Sequence, residues 1–186
     1  MLALQGDFAE HIQMLEALGT STREVRDSKQ LDGLDGLIIP GGESTTVGML
    51  MQRYELGDPI RDLAMEGIPI WGTCAGLILM ARDVGRQQPL LDLLDITVER
   101  NAFGRQLESF EVSLDVEGIV EGSFPAVFIR APRVRSIGQG VDVLARLDDG
   151  SIVAVQQKHL LGTAFHPELT QDLRLHAYFV GMTEAA

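Results

Sequence analysis

The sequence predicts an α/β fold, a three-layer sandwich with a mostly parallel central sheet and an antiparallel extension. Three observations carry that expectation. In the first half, short apolar runs alternate with segments of helical periodicity. Those runs lack strict apolar–polar alternation, as suits central strands covered on both faces. In the second half polar residues interleave with apolar ones, the pattern of antiparallel strands with one face toward solvent.

Taken in order, residues 2–5 read as a first strand that Met1 leaves short. Residues 8–18 follow as a helix, with Phe8, Ile12, Leu15 and Leu18 on one stripe and Gly19 as its stop. Residues 37–39 form a compact strand ending at Pro40-Gly41-Gly42. Helices are expected over 46–56 and 59–66, a strand over 68–71 and a helix over 77–81. Strands are then expected over 96–99, 107–114, 127–130 and 141–147, with Asp148-Asp149-Gly150 as a hairpin turn into 151–157. A last strand at 160–165 and a closing helix at 171–182 complete the chain. No linker, repeat or low-complexity segment divides it, so residues 1–186 are read as one domain.

Composition narrows the function. With 27 acidic against 15 basic residues the formal charge is −12, which opposes non-specific attraction to nucleic acid or an anionic membrane. No apolar stretch approaches the roughly 20 residues needed to cross a bilayer, and the N-terminus has no basic segment leading into a long apolar run. A cytoplasmic protein is expected. The single cysteine, Cys74, excludes an intramolecular disulfide and a multi-cysteine zinc site. It is either a packing residue or a reactive thiol.

The surroundings of Cys74 favour chemistry. It follows an apolar strand and precedes an apolar helix, with Gly72 and Gly76 two residues to either side. That spacing matches a nucleophile elbow, where small neighbours let strand and helix meet at a sharp turn. A buried cysteine in a tight turn is the competing reading. Of the four histidines, His11 and His176 lie on the first and last helices, where exposure is the plain expectation, and His159 follows Lys158 at a turn. His166 instead ends a strand and opens His166-Pro167-Glu168. There Glu168 can orient one ring nitrogen while the other faces a thiol; a proline turn with a solvated glutamate is the plainer alternative. Pro40-Gly41-Gly42-Glu43-Ser44 can aim backbone N–H groups at developing negative charge, or it is a glycine turn capped by Ser44 or Thr45.

Together these segments resemble a known family. Gly41-Gly42-Glu43-Ser44-Thr45-Thr46, Gly72-Thr73-Cys74-Ala75-Gly76 and Phe165-His166-Pro167-Glu168 look like the signatures of class I glutamine amidotransferases. More narrowly, Leu4-Gln5-Gly6, Arg100-Asn101-Ala102-Phe103-Gly104-Arg105-Gln106 and Phe128-Ile129-Arg130-Ala131-Pro132 resemble the glutaminase subunits of pyridoxal 5′-phosphate synthases. The resemblance implies a catalytic triad of Cys74, His166 and Glu168. It implies glutamine binding by Gly42, Glu43, Ser44, Arg100, Ile129 and Arg130, and an oxyanion region at Gly41, Gly42 and Ala75. Arg105 would brace the site or a partner surface. The implied reaction is hydrolysis of L-glutamine to glutamate and ammonia, with no metal and no cofactor. The implied partner is a barrel-shaped synthase subunit, in a complex with twelve copies of each. Docking of that partner would complete the oxyanion arrangement, with Gln5-Gly6-Asp7 in the communication. Two rivals are a glutaminase subunit of another amidotransferase, such as imidazole glycerol phosphate synthase, and a noncatalytic regulatory α/β protein.

Overall fold

The computed structural model describes residues 1–102 and 109–184. An eight-stranded mixed sheet forms the middle layer. Its parallel part consists of β1 (Leu37–Ile39), β2 (Ile70–Thr73) and β10 (Leu160–Thr163), in the order β1-β2-β10. Every residue of these three strands is buried. That is why their sequences are continuous apolar or small runs.

The antiparallel part grows from β10. It adds β9 (Ile152–Gln157), β7 (Arg133–Ile137) and β4 (Leu94–Glu99), with β8 (Asp142–Arg146) paired to β9; β3 (Ala81–Asp83) closes the far edge, parallel to β4. A separate hairpin pairs β5 (Ser109–Leu114) with β6 (Phe124–Ile129). The expected turn at Asp148-Asp149-Gly150 joins β8 to β9, with Gly150 at φ +82 and its N–H on the Leu147 carbonyl.

Several expectations shift. The first strand shrinks to one parallel bridge between Leu2 and Val25, while the Leu2 N–H bonds to Ile38 of β1. The strands β3 and β7 were not foreseen. β7 reads Arg-Val-Arg-Ser-Ile and buries only Val134, so its apolar signal is a single residue. It is held instead by its neighbour, because Arg133 and Arg135 both reach Glu99 of β4. The first two residues of the strand expected at 107–114, and Arg105, lie outside the described residues.

Helices cover both faces of the parallel section, as alternation along β2 shows. Trp71 and Thr73 point to one side, where they meet α1 (Phe8–Ala17) and α5 (Arg174–Glu184) through His11, His176 and Phe179. Gly72 points to the other, where α4 (Ala75–Met80) packs, with α2 (Ser44–Arg53) beside it and α3 (Gly57–Met65) following α2 in the chain. No helix among the described residues is long and apolar enough to cross a membrane.

Close approach of α4 to the sheet depends on missing side chains. A Cβ on Gly76 would lie 2.0 Å from the Ile39 carbonyl oxygen, and one on Gly72 would lie 2.5 Å from the Gly76 backbone. Gly162, the register partner of Gly72 on β10, faces Leu77 at 2.5 Å in the same way. Because the obstacle at Gly76 is backbone, no rotamer relieves it. Gly76→Ala should therefore cost about 3 kcal/mol or more, read as a lower urea midpoint; an unchanged midpoint would show that α4 is free to lift from the sheet.

Candidate active site

Cys74 sits at the junction of β2 and α4 with φ +47 and ψ −98. A non-glycine residue there costs on the order of 1–3 kcal/mol and persists only when its surroundings fix it. Two backbone bonds do so: the Cys74 N–H donates to Thr163 O at 2.8 Å, and the Ile78 N–H donates to Cys74 O at 3.3 Å. The sulfur is thereby lifted out of the sheet plane while Cys74 stays buried, 4.0 Å from the Ile129 carbonyl.

His166 follows β10 and reaches the same point. Its backbone N–H is held by the Val127 carbonyl of β6 at 2.8 Å. Its Nδ1 lies 2.7 Å from Glu168 Oε1 and 3.5 Å from Asp7 Oδ2. Burial disfavours charge on the ring, but hydrogen bonding with Asp7, Cys74 and Glu168 outweighs it and holds the imidazole up at about 12. Burial likewise disfavours charge on Glu168, yet hydrogen bonds from His11 and His166 pull it down to about 2. Hydrogen bonding thus favours the charged form of a ring held between a carboxylate and the Cys74 sulfur. Gly41 lies against this ring: a Cβ there would come 2.5 Å from His166 Cε1.

One cavity of about 410 Å³ gathers almost all of the candidates. Cys74, His166, Gly42, Glu43, Ser44, Ala75, Arg100, Ile129 and Arg130 all line it, although they come from five separate segments. Glu168 stands behind His166 and Gly41 beneath it, so neither belongs to the wall. Gln5, Gly6, Asp7, Ile78 and Asn101 complete the lining.

The two arginines differ in their commitments. Arg100 is paired with Glu43 at 3.1 Å, and also reaches Gln88 and Thr45. Arg130, at φ +42, is exposed and makes no hydrogen bond or ion pair among the described residues, so its guanidinium is open to a ligand's carboxylate. The helix cap also departs from expectation. It is Glu43, not Ser44 or Thr45, that caps α2, accepting from the N–H groups of Thr45 and Thr46 and from the Thr46 hydroxyl. Burial pushes its carboxyl up, but those bonds together outweigh it and hold it at about 2. Ser44 is buried and its hydroxyl has no partner among the described residues.

The largest miss concerns His11 and His176, expected on exposed helix faces. Both are fully buried. Their rings meet at 2.9 Å, His11 Nδ1 to His176 Nε2, while His11 Nε2 lies 3.2 Å from both Thr73 Oγ1 and Glu168 Oε2. Periodicity held a signal for this, since His11 falls on the stripe of Phe8, Ile12 and Leu15, and His176 is one turn from Phe179. Asp7, His166 and Glu168 are the one group of possible metal ligands that converges among the described residues. Their atoms are already engaged with one another, which a metal would have to undo.

Comparison with known proteins decides the affiliation. Residues 1–185 match the SNO glutamine amidotransferase family. The chain belongs to that family. It is 54% identical over 187 residues to "Pyridoxal 5'-phosphate synthase subunit PdxT" of Dehalococcoides mccartyi, covering 99% of this chain and 96% of the relative. The protein of the same name from Herpetosiphon aurantiacus is 56% identical over 186 residues, 98% of each chain. A crystal structure described as a glutamine amidotransferase superposes with a TM-score of 0.94 at 52% identity, over 98% of this chain and 97% of the other.

The buried His176 gives this amidotransferase an acid limit. Burial, aided by the neighbouring His11 and opposed by Glu168, holds His176 down at about 3. Below about pH 6.5 an unfolded chain binds a proton at this histidine, whereas the folded chain refuses it until about pH 3. Stability is thus lost progressively as pH falls across that interval. Denaturation midpoints measured from pH 7 to 3 should fall less steeply in His176→Phe than in the wild type; parallel curves would refute the assignment.

Proposed function

We propose that this chain is the glutaminase subunit of a pyridoxal 5′-phosphate synthase, which hydrolyses L-glutamine and passes the ammonia to the synthase subunit. The supporting observation is a single cavity that holds a sulfur paired with an imidazole at one end and an uncommitted guanidinium at its rim. Identity above 50% to two synthase subunits, over nearly the full length of each, supports the partner.

In this reading Arg130 takes the α-carboxylate of glutamine, and Ile129, Ser44 and the Glu43–Arg100 pair shape the rest of the pocket. The proton of the Cys74 thiol passes to His166, and the sulfur attacks the side-chain carbonyl carbon; a C–S bond forms as the C=O π bond opens and the carbonyl oxygen takes the negative charge. N–H groups of the Gly41-Gly42 turn and of Ala75, at the start of α4, hold that oxyanion. The C–N bond then breaks as His166 gives a proton to the departing ammonia. Water adds to the thioester, His166 takes its proton, and the C–S bond breaks to release glutamate. Glu168 keeps the ring oriented throughout.

The resemblance also implies dependence on the partner. Gln5 Oε1 accepts the Glu43 N–H at 2.8 Å, which ties the segment after Leu4 to the oxyanion loop. A synthase subunit docking near Gln5 would act on the loop through that bond. A barrel-shaped partner, twelve copies of each subunit and a cytoplasmic setting complete the proposal.

The test is glutamate release with and without the purified synthase subunit. Release should require the partner and vanish in Cys74→Ala. In Arg130→Ala the KM for glutamine should rise about tenfold or more, the value of a charge-assisted bond. Full release by Cys74→Ala would overturn the mechanism.

A further inference from the structure

We propose that His11 is a positioning residue for Glu168, and that His176 fixes the tautomer of His11, so that two buried imidazoles extend the line Cys74–His166–Glu168. The inference deepens the glutaminase reading and rests on it.

The Glu168 side chain is fully buried and each of its oxygens has a separate neighbour: Oε1 faces His166 Nδ1 at 2.7 Å, and Oε2 faces His11 Nε2 at 3.2 Å. No other described donor reaches Oε2, which has no well-directed hydrogen bond. His11 is thus the residue that keeps the second oxygen from being an uncompensated buried charge. It also sets the plane of the carboxylate, because a group held at one oxygen can still swing about the other.

Proton positions follow from the same geometry. Glu168 is ionised and has no hydrogen to offer, so His11 Nε2 must carry one, shared between Oε2 and Thr73 Oγ1. In a neutral ring that leaves His11 Nδ1 bare, 2.9 Å from His176 Nε2. If His176 placed its own hydrogen on Nδ1, two lone pairs would face each other across that gap. A buried N–H would also be stranded, because His176 Nδ1 has no partner among the described residues. The hydrogen therefore belongs on His176 Nε2. The donor direction runs from His176 to His11 to Glu168, and each bond polarises the next.

Packing holds both rings still. Trp71 meets His11 and His176 edge-on, with centroids at 5.7 and 5.0 Å, and its own N–H is fixed to Thr163 at 3.1 Å. Trp71 and Thr73 lie on the strand that ends at Cys74, and Thr163 accepts the Cys74 N–H through its carbonyl. The same β2–β10 pair that seats the sulfur therefore seats the carboxylate's second support. The ionisable groups of this neighbourhood are Asp7 and His11 from the first segment, Cys74, His166 and Glu168, and His176 of α5.

The experiment compares His11→Leu, His11→Gln and His176→Phe in the presence of the synthase subunit. Active sites are counted with a glutamine-like electrophile that labels Cys74, and kcat is expressed per labelled site. His11→Leu should lower kcat about tenfold, the loss of a bond to a charged group, with the KM for glutamine changed by less than about twofold. His11→Gln, which returns an N–H to Oε2, should recover most of that loss. Unaltered kcat per labelled site in His11→Leu would overturn the proposal, as would equal defects in the Leu and Gln variants. Should His11→Leu not fold, His176→Phe decides: it keeps an aromatic ring but removes the donor, and should lower kcat about threefold, whereas unchanged kcat overturns the inference. Failure of the glutaminase reading looks different, because the wild type itself would then release no glutamate.

Discussion

Everything at the site depends on Cys74 being held at φ +47, where the chain leaves β2 and enters α4. That conformation is unfavourable for an L-residue, and the molecule stabilises it from both directions. From the strand side, β10 accepts the Cys74 N–H. From the helix side, α4 descends onto the sheet because Gly72, Gly76 and Gly162 leave nothing between them and their neighbours. A methyl group on Gly72 or Gly76 would meet backbone, push α4 outward and carry the sulfur with it. The small residues around Cys74 therefore govern where its sulfur stands as well as how closely α4 packs.

The second constraint is electrostatic. Ionisable groups that are buried together are costly unless each is paired, and here the pairing is continuous. His166 is gripped by Glu168 and Asp7 on one side and by the thiol on the other. Glu168 is placed between His166 and His11. His11 in turn meets a histidine that burial keeps neutral. The arrangement holds charge near the sulfur among buried side chains. Toward the cavity the polarity is different: Glu43 and Arg100 satisfy each other, while Arg130 stays open.

Much of this was legible in the sequence where the signal is local. The apolar run before Cys74, its flanking glycines and the strand-end His166-Pro167-Glu168 are all short-range patterns, and the structure brings them to one point. The covered parallel strands were readable for the same reason. What escaped is long-range or borrowed from a neighbour. His11 and His176 look like surface histidines until the helices at the two ends of the chain are seen to pack together, 165 residues apart in sequence. β7 has one buried residue and is held by pairing with β4 and β9, with Arg133 and Arg135 reaching Glu99 of β4. Nothing local distinguishes Arg100, which is neutralised by Glu43, from Arg130, which is not. The capping role of Glu43 was hidden because shorter side chains, Ser44 and Thr45, stood next to it.

The proposed chemistry passes through a covalent bond between the Cys74 sulfur and the glutamyl group. Rapid quenching of the chain with its synthase subunit and glutamine, followed by mass analysis of the peptide containing Cys74, tests it directly. A glutamyl adduct on Cys74 that forms and decays at the rate of glutamate release is the expected result. Glutamate release with no adduct, or with the adduct on another residue, would contradict the account.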